Sequence, residues 1–397
     1  MGNLNSHVSQ KEMTRIVRGT LQDMNEREAE IKWCTSCLNM STRPRISFDE
    51  RGRCNACQWV DTKKNLDWES RERQLVELLA DHRSRGKGFD CIVPVSGGKD
   101  GSYVAHQLKH KYDMNPLCVT VKPALPMPIG DENLERFINS GYDHIRISPN
   151  PEVMQTLNKH GFIEMGFPYY GWLLAIQSAV LRVANQFEIG LIFYGEDGEV
   201  EYGGTAATKQ KPFYDMNYML EIYLEGGLDK VLKASGVPER ERYFFDFPRE
   251  EELDADGLLI GHWSYFENWD PYRNYLVARE FCGLQEAEAG NEGTFTNFAQ
   301  NDQKLYALHA YLMYLKFGFG RATQDAGIEI RRGSMSREQA INLVSVYDGQ
   351  YPDSFIDDYL DYYQMSQYEF DSTLDKWANK ALFDKVNGRW EPKFKVS

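Results

Sequence analysis

Four cysteines stand at the spacing of metal ligands: Cys34-x2-Cys37, sixteen residues, then Cys54-x2-Cys57. Each CxxC turn can aim two thiolates at one ion, and two such turns close a tetrahedral shell. A closed shell leaves no place for water, so the chemistry is structural zinc binding and not hydrolysis. The intervening RISFDERGRC reads as a strand, a DERG turn and a returning strand that brings the second pair to the first. A second constellation is SGGKDGS, residues 96–102. Its successive backbone N–H groups, followed by a helix N-terminus, suit the oxygens of a phosphate. Gly97, Gly98 and Gly101 let the backbone approach closely. Ser96 and Ser102 can donate hydroxyl bonds, Lys99 brings a point charge, and Asp100 is suited to Mg2+. Thr120, late in the next predicted strand, completes the nucleotide set. The loop is not a Walker A sequence and lacks the dinucleotide GxGxxG.

Further candidates lie downstream. GEDGEVEYGG (195–204) follows a predicted strand and offers Glu196, Asp197, Glu199 and Glu201 to Mg2+ or to a substrate. The candidate catalytic set is Lys99, Asp100, Glu196 and Glu201. The candidate substrate set is Tyr202, Gly203, Gly204, Trp269, His309, Lys316 and Arg321. Trp269 sits in HWSYFENWDP, whose aromatic faces suit a sugar ring. His309 shares a helical face with Tyr306 and Met313, while Lys316 and Arg321 flank GFG. Each has a plainer reading: a solvated acidic turn, core aromatics, a structural histidine, surface cations.

The elements that must position these residues alternate. FDCIVPV (89–95), PLCVTV (116–121), HIRIS (144–148) and GLIFYG (190–195) read as buried strands. Between them lie helical segments at 67–86, 103–112, 134–142 and 172–188, and another that opens at Pro151. This predicts an α/β unit with a parallel sheet covered on both faces. The phosphate loop follows the first strand, and the acidic loop follows the fourth, at the sheet edge where such folds bind ligands. After about residue 205 the alternation fades into aromatic-rich helices, including 305–320 and 337–347. The expected division is an arm over 1–30, a four-cysteine zinc module over 31–65, an α/β domain over 66–235 and a mainly helical region over 236–397.

Composition narrows the class. The 397 residues carry 45 Lys plus Arg against 59 Asp plus Glu, a net charge of −14. Phosphate backbones repel such a chain, so a general nucleic-acid binder is not expected. No apolar run is long enough for a membrane span, and the N-terminus has no signal-peptide core. Gly2 and Ser6 fit the myristoylation pattern, which six residues match easily by chance. Clustered cysteines favour a reducing, cytoplasmic location, with Cys91, Cys118 and Cys282 as buried hydrophobes. From Glu338 to Asp375 there are nine acids and no Lys or Arg, a solvated face or a docking face for a basic partner.

SGGKDGS resembles the pyrophosphate loop of the PP-loop ATP pyrophosphatases, usually SGGxDS; the extra Gly101 departs from that form. CTSCLNMSTRPRISFDERGRCNAC, then CIVPVSGGKDGSYVAHQLK, VTVKPALPMPIGDENLERFINSGYDHIRISPN, YGEDGEVEYGG and the block from GTFTNFAQNDQKLY to YDGQYP resemble in order one branch. That branch is the N-acetyl sugar amidotransferases of bacterial surface-polysaccharide and nonulosonic acid pathways. The resemblance covers roughly residues 33–365.

The resemblance implies a PP-loop fold, ATP and Mg2+. It also implies an activity in which an acetamido group on a free or nucleotide-linked amino sugar is adenylated and ammonia displaces AMP, leaving an acetamidino group. No glutaminase domain is visible, so the ammonia is expected from a separate glutaminase that resembles the glutaminase and barrel synthase pair of histidine biosynthesis. Two alternatives are a PP-loop tRNA-modifying enzyme, which the acidic charge disfavours, and a non-catalytic nucleotide-binding scaffold.

Overall fold

A computed structural model describes residues 31–83, 88–196, 198–205, 207–248 and 258–397. The arm with Gly2 and Ser6, and Asp197 of the acidic loop, lie outside the described residues.

All four predicted strands form: β1 (Cys91–Pro94), β2 (Pro116–Val121), β3 (His144–Ile147) and β4 (Leu191–Tyr194). A fifth, β5 (Leu259–His262), pairs with β4, and the sheet runs β3-β2-β1-β4-β5 with every pair parallel. LIGH is too short, and its glycine too weak a β-former, to announce a strand from sequence. Its place in the sheet corrects the expected boundary at 235. The α/β unit continues to residue 262.

Side chains alternate along each strand and feed two cores. Ile92, Leu117, Val119 and Ile192 face one; Cys91, Val93, Cys118, Leu191 and Phe193 face the other. The second core is covered by α2 (Trp68–His82) with Leu75, Leu78 and Leu79, by α3 (Lys99–His106) with Val104, and by α4 (Pro128–Asn139) with Leu134 and Phe137. Cys282 ends a further covering helix, α8 (Pro271–Cys282). Burial pushes the thiols of Cys91, Cys118 and Cys282 up, Cys282 to about 11. All three therefore stay protonated, as small hydrophobes do.

The first core is larger. It receives α5 (Pro151–Met165), α6 (Tyr170–Phe187) and α7 (Leu228–Ser235), and also C-terminal helices. Pro151 opens α5 with Asn150 as cap, its Oδ1 accepting from Glu152 N at 3.0 Å. The C-terminal region comprises α9 (Leu305–Phe317), α10 (Arg321–Arg332), α11 (Arg337–Tyr347), α12 (Ile356–Tyr363) and α13 (Gln367–Trp377). A hairpin, β6 (Phe383–Val386) with β7 (Arg389–Pro392), follows them. Leu305, Leu308, Leu312, Tyr359, Tyr363 and Phe370 share one core with Val119 and Leu174, so sheet and C-terminal helices bury each other's apolar faces.

The cysteine module precedes all this. The expected strand pair within 45–54 is reduced to one antiparallel bridge, Phe48 with Cys54, a second bridge joins Trp33 with Met40, and α1 (Asn55–Lys63) follows directly. Among the described residues no helix is long and apolar enough to cross a membrane.

Candidate functional site

The chain runs from β1 outward to β3, then returns to place β4 on the other side of β1. A crevice opens at that reversal, between the ends of β1 and β4. A cavity of about 480 Å³ fills it, lined by Ser96–Gly101, Thr120, Glu196, Tyr202 and Arg321 among others.

Glycine is required at two points of the loop. Gly97 has φ +78°, and a Cβ there would lie 2.4 Å from Leu134 N of α4. Gly101, the departure from the usual loop form, sits where a Cβ would lie 2.7 Å from Pro94 O. Its absence of side chain lets α3 start tight against β1. Lys99 donates to the neighbouring Asp100 carboxylate, and Asp100 Oδ1 also accepts from Asn274 Nδ2 of α8 at 3.0 Å. Asn274 is fully buried, so it is a fixed donor. Thr120 Oγ1 donates to Val95 O at 2.5 Å and lies 2.9 Å from His144 Nε2. The carboxylate of Asp100, beside a nest of N–H groups, is an oxygen donor of the kind Mg2+ takes together with phosphate oxygens.

The far wall of the cavity was not among the sequence candidates. Phe298–Asp302 and Tyr306 line it as well. This segment is locked to the β2–α4 connection: Met127 N donates to Asp302 O at 3.1 Å, Lys304 N to Leu125 O at 2.9 Å, and Gly130 passes so close to Asp302 that a Cβ would lie 2.5 Å from its Cα. Asn301 Oδ1 and Arg321 Nε are buried without a protein partner. Burial pushes the Asp302 carboxyl up to about 6, against the opposing pull of its own backbone N–H and the Tyr306 hydroxyl, which donates at 3.1 Å. No motif marks this wall in the sequence. The one available signal was position, in AQNDQ just ahead of a strongly apolar helix.

The remaining sequence candidates divide. Glu196 lines the cavity, 4.0 Å from His262 Nε2. Tyr202 lines it between Arg43 and Arg321, each guanidinium 5.8 Å from the ring centre. Arg321 also pairs with Asp325 at 2.8 Å. Ser102 is buried in α3, and its Oγ does not line the cavity. Glu201 faces a separate cavity of about 470 Å³ between α1, α2 and α10. Gly203 and Gly204 meet the cysteine module. Trp269 is buried edge-on to Tyr103. His309 lies behind the wall, tilted against Phe167 and Tyr169, its pKa pushed down to about 3 by burial and by Lys316 and Arg321. Lys316 is buried and donates to the carbonyls of Met165 and Gly166 at 3.3 Å, closing the end of α5.

The four quartet sulfurs lie within 4.8 Å of one another, with Cys34–Cys57 at 3.8 Å and Cys37–Cys54 at 3.6 Å. A Zn–S bond of about 2.3 Å sets tetrahedral sulfurs roughly 3.8 Å apart, so one ion fits. Backbone N–H groups of Ser36, Cys37 and Cys54 donate to Cys34 Sγ. Burial works against the charge of Arg331, and Cys37, Cys57 and Cys54 outweigh it. Its Nη1 is buried without a hydrogen-bond partner. A cation so placed would balance four thiolates around a divalent ion.

The acidic stretch 338–375 is less bare in three dimensions. Asp353, Asp358 and Asp375 pair with Arg389, Lys304 and Lys385. Asp348 turns inward and accepts from Gly320 N at 2.8 Å at the start of α10.

Residues 292–395 match the family model described as LPS biosynthesis protein WbpG-like, C-terminal domain. The match supports the N-acetyl sugar amidotransferase resemblance, and it covers the far wall of the cavity. An uncharacterized protein of Methanocaldococcus jannaschii is 32% identical over 89 residues, 22% of this chain and 32% of that protein, so the chain spans about a third of that relative's length. Among solved structures, NMN synthetase from Francisella tularensis aligns at 13% identity over 56% of this chain and 90% of its own, with a TM-score of 0.29. The U34-tRNA thiolase NcsA from Methanococcus maripaludis, with its [4Fe-4S] cluster, aligns at 11% identity over 67% and 79%, with a TM-score of 0.31.

Proposed function

We propose that this chain, whose residues 292–395 carry the WbpG-like match, is an ATP-dependent amidotransferase that converts an acetamido group of an amino sugar to an acetamidino group. The observation that carries the reading is that the phosphate loop and the far wall from the WbpG-like segment line one cavity. ATP lies with its phosphates on Ser96–Gly101, and the amino sugar lies against Phe298–Asp302, Tyr202 and Arg321.

An amide carbon is a poor electrophile until its oxygen becomes a leaving group. The amide oxygen attacks the α-phosphorus, the α–β phosphoanhydride bond breaks and pyrophosphate leaves. Ammonia then adds to the carbon, the C–O bond breaks and AMP departs with the oxygen. Lys99 and the loop N–H groups hold the pyrophosphate charge as it develops. Mg2+, held by Asp100 with phosphate oxygens, would supply further charge neutralisation. Asp302 accepts the proton that ammonia loses on adding, and Asn301 and Arg321 orient the sugar. The cysteine quartet holds Zn2+ as a structural ion. The ammonia comes from a separate glutaminase, with 338–375 as one face on which it docks.

The test incubates the protein with ATP, Mg2+, ammonium and a panel of UDP- and CMP-linked acetamido sugars. Mass spectrometry then looks for a product with NH in place of oxygen, and for AMP in equal amount. ATP consumption independent of any sugar, with no amidine formed, would overturn the reading.

A further inference from the structure

We propose that the cysteine module is the clamp that shapes residues 198–205, with Asn39, Asn55 and Arg331 as its positioning residues. This rests on the cavity being the nucleotide and sugar site, because the clamped loop carries Tyr202 into it and begins two residues after Glu196.

Three carbonyls of the loop are held from outside. Arg331 Nη2 donates to Glu201 O at 2.7 Å, Asn39 Nδ2 to Tyr202 O at 3.0 Å, and Asn55 Nδ2 to Gly204 O at 2.7 Å. The bonds within the loop are longer: Glu201 N to Gly198 O at 3.4 Å and Gly203 N to Val200 O at 3.3 Å. Hydrogen bonds weaken toward such lengths, so the external three dominate. Gly203 has φ +93°, and a Cβ on it would lie 2.7 Å from Asn39 Nδ2. The loop therefore presses directly on the module.

Both clamp asparagines are tied to the quartet. Asn39 follows Cys37 by two residues, is 3% exposed, donates its side chain to Cys54 Sγ at 3.3 Å and its backbone N–H to Cys37 Sγ at 3.4 Å. Asn55 adjoins Cys54. Arg331 is buried at its unpartnered Nη1 and reaches the loop through Nη2. An ion that draws the four sulfurs together fixes Asn39 and Asn55, and through them the wall of the cavity. The module is thus more than a stabilising knob: its metal occupancy sets the local conformation beside Glu196.

Hydrogen exchange read by mass spectrometry on the full chain tests this without a substrate. Three samples are compared: zinc-loaded protein, chelator-stripped protein, and an Asn39→Ala/Asn55→Ala variant whose metal content is measured. Two lost hydrogen bonds predict exchange at 198–205 faster by roughly tenfold to thirtyfold in the variant, and at least as much in the stripped protein. Exchange at 96–101 and the affinity for ATP with Mg2+ stay within about twofold of wild type, since no clamp bond reaches the phosphate loop. If the double variant loses its metal, Asn55→Ala alone, which touches no sulfur, decides by the same loop-specific exchange. Unchanged protection of 198–205 in a metal-retaining variant overturns the clamp. Failure of wild-type protein to bind ATP counts instead against the nucleotide reading and leaves the exchange comparison standing.

Discussion

Asn274 donates to Asp100 across 3.0 Å and 174 positions of sequence, tying helix α8 to the phosphate loop. Asp100 is held ready on one oxygen while its other oxygen meets Lys99. Lys99→Ala and Asp100→Ala should therefore abolish AMP formation with circular dichroism unchanged. Each removes a charge-assisted contact worth about 1.5–3 kcal/mol, roughly 10- to 150-fold in rate, and more where the charge develops during reaction. Near-wild-type turnover in both variants would place the nucleotide elsewhere.

Gly101→Ala forces a methyl to within 2.7 Å of Pro94 O. The expected cost is about 1–3 kcal/mol of stability, read as a lowered Tm. An unchanged Tm would mean that α3 can shift off β1, and ATP affinity should then drop instead.

Asp302 carries a pH signature. A base must be ionised, so turnover should fall as pH drops through about 6. The same raised pKa means that the folded chain prefers the protonated form. That contribution to stability is fully present below the unfolded value near about 4 and is lost as pH rises through the folded value. Asp302→Asn should thus lose about 100-fold or more in turnover and its acid limb, yet melt higher than wild type at pH 7.5. A variant that keeps the acid limb would assign it to another group.

Purified protein should hold one zinc per chain. Cys54→Ser should release it, because three thiolates leave the shell open. Elemental analysis reads the outcome, and stoichiometric zinc in a variant with all four cysteines changed to serine would sink the assignment.

Ammonium salts should support amidine formation by this chain alone, whereas glutamine should require an added glutaminase. Cys91, Cys118 and Cys282 are buried and held as thiols, so none is a ready nucleophile. Glutamate released from glutamine by the pure chain would mean that the chain carries a glutaminase site of its own.

Local features were legible in the amino-acid order. Cysteine spacing placed a tetrahedral quartet, because ligand geometry is set within two short turns. SGGKDGS between an apolar strand and a helix placed the glycine turn that lines the cavity, because backbone conformation there follows from glycine and helix polarity. Short apolar runs bounded by turn residues placed four strands. Contacts between distant segments settled the rest, and these exist only in the folded chain. Leu259–His262 becomes a strand only because β4 offers it an edge. Trp269, His309 and Lys316 have residue types suited to a site, but Trp269 and Lys316 are buried in core and helix-end roles and His309 packs half-buried against aromatic rings, since packing, not type, sets where a side chain points. Asp302 and Asn301 gain their place from a bond between Met127 and Asp302 that no periodicity encodes. Asn39 and Asn55 read as ordinary polar residues until the fold lays 198–205 against them. A spacing rule reaches a few residues along the chain, whereas a cavity is closed by segments that meet only once the two cores have formed.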